Sequence, residues 1–261
     1  MKQFHICTIF NDHTQYEKMK LSFLSNGFDV DRCRYSFFDN TQKNNFDPYE
    51  TFNFIQSKNS EPYIVFCHQD VILDQGNGYQ ELLNKLKELD KIDPNWAICG
   101  NAGVNNKYKY VVRISDANKS PNWKGEFPQR VYSLDENFLV IKSGSGIKCS
   151  LGINGFHFYG TDLCLQSVVN GFSCYVVDFH LSHLSGGHFS ESFWKTKSVF
   201  YQNWVSKFKF CYVKTITGQL MCFSNNSALR YLGSTYIFSK LLIRINKFYP
   251  FLYPKKENLA I

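Results

Sequence analysis

The chain has 261 residues and a formal net charge of +7, from 29 basic and 22 acidic residues. A hydrophobic fraction of 44% with 20% charged residues is ordinary for a globular protein and excludes a disordered, collagen-like or coiled-coil chain. Such a length holds one domain with extensions. Only 6 of the basic residues are Arg, which argues against reading nucleic-acid sequence and leaves nucleotides and lipid head groups as candidate anionic partners.

The nine cysteines are scattered singly, mostly inside apolar runs. This pattern predicts buried, reduced thiols rather than disulfides or a zinc ribbon. The first eleven residues lack the apolar length and cleavage site of a signal peptide, and no uninterrupted apolar window of about 18 residues occurs. We therefore expect a cytoplasmic protein without a membrane-spanning segment.

The first 110 residues alternate between strand-like and helix-like segments. Apolar strands are predicted at 4–10, 28–35, 63–67 and 96–102, and a helix at 15–24. A second helix follows the third strand, because Tyr79, Leu82, Leu83, Leu86 and Leu89 recur at helical spacing. This alternation predicts an α/β fold whose parallel sheet is covered on both faces and binds ligands beyond the carboxyl ends of its strands.

The later segments are less regular. They are predicted to be a polar surface loop at 105–129, a strand pair at 131–142, a helix from about Thr161 closed by Gly171, a strand at 173–178, and an amphipathic helix through 200–208.

A carboxylate follows the apolar strand 63–67, in the sequence Cys-His-Gln-Asp ending at Asp70. An Asp at the carboxyl edge of a sheet is well placed to hold Mg²⁺ or Mn²⁺ against a diphosphate. The alternative is a turn-forming Asp that caps the next segment.

Two further motifs carry candidate chemistry. Asp162 falls in the first turn of the helix near Thr161, where it either complements the helix dipole or acts as a general base. His180, His183 and His188 follow the strand at 173–178, and clustered imidazoles suit a metal or phosphate site. At least one of these three His is expected to be structural.

Taken in order, these motifs resemble those of family-2-type glycosyltransferases with the GT-A fold, of the small bacterial kind that builds surface polysaccharide or lipopolysaccharide. The matching stretches are 4–11, 63–71, 96–103, 131–142, 158–165 and 183–187. The resemblance implies a mixed, mostly parallel Rossmann-like sheet flanked by helices. It covers residues 1–205 and leaves 206–261 as a basic, aromatic extension expected to be helical.

The resemblance also implies roles for individual residues. Asp70 is expected to bind the metal, Mn²⁺ or Mg²⁺, with His183 approaching the metal or the diphosphate. His68 stands where relatives carry the first acidic residue, and three roles stay open for it: metal ligand, sugar contact or turn former. Asp162 is the expected base of an inverting transfer, although Thr161 replaces the first member of the family's acidic pair.

Three acidic residues complete the expected donor site. Asp39 falls where relatives contact the base of the nucleotide. Asp135 and Glu136 would lie beside the sugar or acceptor, or form a hairpin turn between strands. The expected donor is a nucleotide-diphosphate sugar, with UDP as the expected nucleotide, and the expected acceptor is a glycan or a lipid-linked molecule.

The segment from Ala228 to Lys256 carries six basic residues and no acidic one. A helix that interleaves basic and aromatic residues suits an anionic membrane surface, which agrees with a peripheral protein on the inner face of a membrane. The alternative is a helix packed on the domain or in a homodimer.

Two other functions stay open on sequence grounds. One is a non-catalytic nucleotide- or glycan-binding module on the same fold, which the His68 departure permits. The other is a metallohydrolase built on Asp178, His180 and His183.

Overall fold

The structure is a computed structural model that describes residues 1–74, 76–115, 121–185 and 189–260. These residues form a mixed α/β fold. Its strands are β1 (Phe4–Phe10), β2 (Cys33–Asp39), β3 (Tyr63–Cys67), β4 (Val71–Ile72), β5 (Trp96–Gly100), β6 (Ala102–Val104), β7 (Tyr110–Ser115), β8 (Pro121–Lys124), β9 (Gln129–Val131), β10 (Ser133–Leu134), β11 (Phe138–Lys142), β12 (Ser173–Val176), β13 (Leu181–His183), β14 (Cys211–Lys214) and β15 (Leu220–Phe223). Its α-helices are α1 (His13–Ser25), α2 (Pro48–Lys58), α3 (Tyr79–Ile92), α4 (Tyr159–Val169), α5 (Glu191–Trp204), α6 (Ser227–Ser234) and α7 (Tyr236–Phe248).

The main sheet has seven strands in the order β2-β1-β3-β11-β5-β12-β9. Strands β1, β2 and β3 are parallel, β11 enters antiparallel between β3 and β5, and β12 is parallel to β5. The predicted mixed, mostly parallel sheet is therefore confirmed. Because β1 and β3 are parallel neighbours, the residues that follow them meet at one edge of the sheet.

Helices cover both faces of this sheet. On one face, α2, α4 and α5 contribute fully buried side chains such as Phe52, Leu163 and Phe200. On the other, α1 and α3 contribute Phe23 and Leu86. The nine cysteines all lie in the described residues and are buried free thiols, as the sequence predicts.

A second sheet has the order β10-β6-β7-β13-β4, with β8 paired to β7. The loop expected at 105–129 is therefore wrong in part, because it contains β7 and β8. Strand β8 lies at the edge of the sheet and pairs on one side, so most of its residues are exposed and carry no apolar repeat. The strand predicted at 28–35 is also shifted, since β2 begins at Cys33.

The extension at 206–261, which was expected to be helical, contains helices α6 and α7 but also the β14–β15 hairpin, which was not expected. The hairpin shares a hydrophobic cluster with the main fold through Cys211, Val213 and Phe223. The domain boundary at residue 205 stays a prediction. No helix in the described part of the chain is long and apolar enough to cross a membrane.

Candidate metal centre

Three predicted site residues converge at the edge of the main sheet. His68 and Asp70 follow β3, and His183 ends β13 in the second sheet. Strand β13 is antiparallel to β4, with His183 opposite Val71, and this pairing carries His183 to Asp70. One ligand atom from each of the three residues lies within 4.8 Å of the other two.

Asp70 is the central carboxylate of this group and is 6% exposed. Its Oδ2 accepts a hydrogen bond from the Ser185 hydroxyl, whereas its Oδ1 lies 3.3 Å from His183 Nε2 and 3.9 Å from His68 Nδ1. Burial raises the pKa of the Asp70 carboxyl, but the two histidines and Ser185 outweigh it and hold that pKa well below its usual range. Asp70 is therefore an anion with one oxygen free for a cation.

His68 has its two ring nitrogens in different environments. Its Nε2 lies 2.9 Å from the Tyr159 hydroxyl, and that hydroxyl donates to the backbone oxygen of Glu136 at 3.2 Å. Because the hydroxyl has a single proton, both contacts are hydrogen bonds only when the His68 Nε2 donates to Tyr159. The Nδ1 of neutral His68 is then unprotonated and faces Asp70. Burial and the nearby His183 lower the pKa of His68, which favours this neutral form.

His183 presents a buried nitrogen with no hydrogen-bond partner. Its Nε2 is close to Asp70 but does not meet hydrogen-bond geometry with it. Burial lowers the pKa of His183, yet its proximity to Asp70 raises it more, so the net shift is upward. The buried His183 Nε2 and the neighbouring Asp70 oxygen are therefore arranged as two ligands of one cation would be.

The residues present therefore fit a divalent cation. Two imidazole nitrogens and one carboxylate oxygen are groups that divalent metal ions take as ligands. The hydrogen bond from His68 to Tyr159 is the kind of outer contact that orients a metal-ligating histidine.

A cavity of about 320 Å³ opens beside this group. Its walls come from the last residues of β1, the segments after β1, β2 and β3, and the loop before α4. The lining residues are Ile9, Phe10, Asn11, Asn40, Asn44, His68, Gln69, Asp70, Phe156 and His157. Gln69 joins two of these walls, because its Oε1 accepts the backbone N–H groups of Asn11 and Asp12 at 2.8 and 2.9 Å. The cavity lies where an α/β sheet binds ligands.

Asp39 lies at the end of β2 and is exposed. Its Oδ1 accepts the backbone N–H of Thr41 at 2.8 Å. The Thr41 side chain and then this N–H lower the pKa of the Asp39 carboxyl. The neighbouring Asn40, not Asp39, is among the residues that line the cavity. The expected contact of Asp39 with a nucleotide base stays a prediction.

Asp135 and Glu136 lie between β10 and β11, near the three metal-site residues. Asp135 lines a separate cavity of about 230 Å³. Its charge opposes the lowering of the His68 pKa and adds to the rise of the His183 pKa. Glu136 is half-buried and its Oε1 accepts the backbone N–H of Gly160 at 3.2 Å. Burial and the charge of Asp135 raise the pKa of Glu136 to about 8.

Gly160 allows the close approach of α4 to this turn. A Cβ on Gly160 would lie 2.7 Å from the Leu134 backbone oxygen, which is too close for any other residue. The approach brings the Gly160 N–H to Glu136 and the Tyr159 ring to His68.

Asp162 lies in the first turn of α4, as predicted, and is completely buried. Its carboxylate accepts three hydrogen bonds, from the Ser150 N–H and hydroxyl, both at 2.7 Å, and from the Trp204 Nε1 at 2.6 Å. Burial raises the pKa of this carboxyl, and those three donors oppose the rise. Asp162 thus connects α4 to α5 through Trp204 and to the preceding loop through Ser150. Its role as a base stays a prediction.

His180 and His183, which are three residues apart in the chain, contact different groups. His180 lies 3.1 Å from Asp74 Oδ2 and 2.9 Å from the Ser115 hydroxyl, while Asp178 pairs with Arg113 at 2.6 Å. These contacts do not support a site that joins His180 and Asp178 to His183. His188 lies outside the described residues.

Sequence reasoning missed Tyr159 and Gln69. A Tyr at a helix start is typical of a core residue, and Gln69 stands between two better metal ligands. Its position in the chain could have indicated Gln69, because a residue just after an apolar strand lies at the edge of the sheet where ligands bind.

The fold is similar to solved glycosyltransferase structures. The structure of Staphylococcus aureus TarS 1–349 in complex with UDP-GlcNAc matches with a TM-score of 0.50 and 11% identity, over 75% of this chain and 64% of that one. The structure of GalNAc-T7 with UDP, GalNAc and Mn²⁺ matches with a TM-score of 0.52 and 8% identity, over 79% of this chain and 48% of that one. The chain thus has the GT-A fold of glycosyltransferases, as the resemblance implies, and spans about half to two thirds of those structures.

No protein-family model matches the chain. In sequence, the chain is 30% identical over 223 residues to the Fuscovulum blasticum protein named "ATP synthase subunits region ORF 6", covering 83% of this chain and 89% of that protein. The chain belongs to the same family as that protein. The name describes a genomic region and states no activity.

Proposed function

We propose that the protein is a glycosyltransferase that moves a sugar from a nucleotide-diphosphate donor to a glycan or lipid-linked acceptor. The observation that carries this proposal is the convergence of His68, Asp70 and His183 beside a cavity at the carboxyl edge of a GT-A sheet. A nucleotide diphosphate has the charge that a cation on these residues would attract. The TarS and GalNAc-T7 structures, which hold UDP-GlcNAc and UDP with Mn²⁺, support the same class of donor.

In this proposal Asp70, His183 and His68 hold Mn²⁺. The bound ion would supply positive charge to the departing diphosphate. The protein's own contribution is to orient the ligands: Ser185 fixes one carboxylate oxygen of Asp70, and Tyr159 fixes the ring of His68. The cavity between the segments after β1 and β2 is the proposed place of the nucleoside.

Two carboxylates are candidates for the base that accepts the acceptor proton. The resemblance favours Asp162, but its complete burial and three donors oppose contact with a substrate. Glu136 is half-buried, and a carboxyl with its pKa raised to about 8 suits proton transfer at neutral pH. We favour Glu136.

The experiment is to incubate the protein with a panel of nucleotide sugars, Mn²⁺ and a pool of glycan and lipid-linked acceptors, and to measure the release of nucleoside diphosphate. We expect acceptor-dependent release with one donor. Donor binding without release would favour the non-catalytic binding module. Stoichiometric zinc in the purified protein, with hydrolysis and no nucleotide binding, would favour a metallohydrolase.

Glu136→Gln and Asp162→Asn separate the two bases in the same assay. We expect Glu136→Gln to reduce transfer by about 10²–10⁴-fold with donor binding retained. Loss of transfer in an Asp162→Asn protein that is still folded at the assay temperature, with Glu136→Gln active, would assign the base to Asp162 instead.

A further inference from the structure

We propose that the outer face of α7 binds the surface of an anionic lipid bilayer. This inference does not depend on the transferase chemistry. It rests on how charge and apolar surface are distributed over residues 192–256.

The basic excess of the protein is concentrated in that segment. Residues 192–256 contain eleven Lys and Arg and no Asp or Glu. The remainder of the chain contains eighteen basic and twenty-two acidic residues. The positive charge is therefore a local property of one region, and it favours an anionic surface.

The exposed apolar surface is concentrated in the same region. Of the twenty-four large hydrophobic side chains that are exposed in the described residues, ten fall between 229 and 251. They are Leu229, Tyr231, Leu232, Tyr236, Ile237, Leu241, Ile245, Phe248, Tyr249 and Phe251. Such a density of exposed apolar side chains marks an interaction surface.

Helix α7 arranges these residues in two adjacent stripes. Ile237, Leu241 and Ile245 recur every four residues and are 81%, 54% and 40% exposed, so they form one apolar stripe with Phe248 beyond them. Exposed Lys240, Arg244 and Lys247 form a cationic stripe beside it. A helix with this arrangement lies in the interface, with its apolar stripe among the acyl chains and its cations at the phosphates.

A cavity of about 450 Å³ runs along this helix and is lined by Lys240, Leu241, Ile243, Arg244 and Lys247. Three cations around an apolar floor match a lipid, whose anionic head group is joined to acyl chains.

The opposite side of α7 is fixed to the protein body. Asn246 is completely buried; its Nδ2 donates to the Asn106 backbone oxygen at 2.7 Å, and its Oδ1 accepts the N–H groups of Phe251 and Leu252, both at 2.8 Å. Leu242 and Ile243 pack against a buried cluster that includes Tyr212. The two stripes are therefore presented outward by a helix that is already anchored.

Charge argues against a second copy of this chain as the occupant. In a two-fold dimer through α7 the cationic stripe of one copy would face a region of its partner that also lacks acidic residues. An anionic bilayer meets both the apolar and the cationic stripe.

The test is co-sedimentation of the full-length protein with vesicles of phosphatidylcholine alone or with about 30% phosphatidylglycerol, which carries the anionic charge. We expect binding to the anionic vesicles that is at least about tenfold stronger than to the neutral ones and that weakens with salt. One variant, Ile237→Ser/Leu241→Ser/Ile245→Ser, removes the apolar stripe, and another, Lys240→Glu/Arg244→Glu/Lys247→Glu, reverses the cationic stripe. Both should lose at least about tenfold in binding.

The matched controls change exposed residues elsewhere: Leu21→Ser/Val30→Ser/Leu151→Ser for the apolar stripe and Lys18→Glu/Lys43→Glu/Lys87→Glu for the cations. They should bind like the wild type. Equal binding to both vesicle types, no binding, or wild-type binding by both α7 variants would overturn the proposal. A dimer in light scattering that the serine variant dissociates, without vesicle binding, would assign the face to a second copy. If the serine variant fails to fold, the charge variant alone decides.

Discussion

His183 Nε2 lies 3.3 Å from Asp70 Oδ1, buried and without a hydrogen-bond partner of acceptable geometry. Residues from two different sheets thus aim a nitrogen and an oxygen at the same space. A buried polar atom left without a partner costs free energy, and a shared cation would remove that cost.

Removing the Tyr159 hydroxyl should weaken metal binding without removing a ligand. In Tyr159→Phe the His68 Nε2 loses its partner, so the ring is no longer held with Nδ1 toward Asp70. We expect the affinity for Mn²⁺ to fall by about 10–100-fold. Isothermal titration with Mn²⁺ measures this.

Tyr35→Phe is the matched control, because it removes a hydroxyl whose partner is the Phe28 backbone oxygen, away from the metal site. Equal Mn²⁺ affinity in Tyr159→Phe and Tyr35→Phe would show that Tyr159 does not orient His68.

Asp162→Asn should destabilise the fold. In wild type Asp162 Oδ1 accepts the Ser150 hydroxyl and Trp204 Nε1, and Oδ2 accepts the Ser150 N–H. The asparagine NH2 group that replaces one of these oxygens cannot accept, so at least one buried donor is left without a partner. We expect a loss of roughly 1–3 kcal/mol in the free energy of unfolding, measured by urea denaturation. Asp39→Asn, at an exposed carboxylate, is the control and should stay within about 0.5 kcal/mol of the wild type. Unchanged stability in Asp162→Asn would contradict the joining role of this residue.

Glu136 should make stability depend on pH. Its folded pKa of about 8 lies above the ordinary value of 4.5, so the folded state holds a proton that the unfolded state releases. The contribution of Glu136 to the free energy of unfolding is therefore fully present below pH 4.5 and is lost as the pH rises to about 8.

Urea denaturation of Glu136→Gln, which is neutral at every pH, checks this sign. Relative to the wild type, the variant should gain stability between pH 5 and pH 8.5. The exposed Glu126→Gln should show no such gain. If Glu136→Gln instead gained stability relative to the wild type as the pH was lowered, the sign would be reversed and the raised pKa contradicted.

The sequence predicted the strands and helices that are marked by an apolar run or an apolar repeat. β3 is a continuous apolar run, β1 is apolar except for His5 and Thr8, and α3 has apolar residues at helical spacing, so burial alone indicates their positions. Asp70 could be placed at the sheet edge because it follows β3 directly. β8 could not be predicted, since an exposed edge strand has no apolar repeat. β7 is a short, mostly buried run that contains Val111, Val112 and Ile114, and the expected loop at 105–129 overlooked it.

The assembly of the site was beyond local patterns. His183 meets Asp70 through pairing of β13 with β4, which are more than one hundred residues apart in the chain. Its role came from the family resemblance, and no periodicity indicated it. Asp162 was correctly placed in a helical first turn, but its burial against Trp204 depends on the packing of α5, which the sequence does not reveal.

Calorimetric titration of UDP and GDP, with Mn²⁺ or with EDTA, into the wild type and Asp70→Asn tests the central claim most directly. The variant keeps the size of the side chain and a partner for Ser185 while removing the negative charge from the metal site. We predict that the wild type binds one of these nucleotides only with Mn²⁺, and that Asp70→Asn, folded to a similar melting temperature, loses at least about tenfold in affinity. Nucleotide binding that is equal in EDTA, or undiminished in Asp70→Asn, would contradict the account.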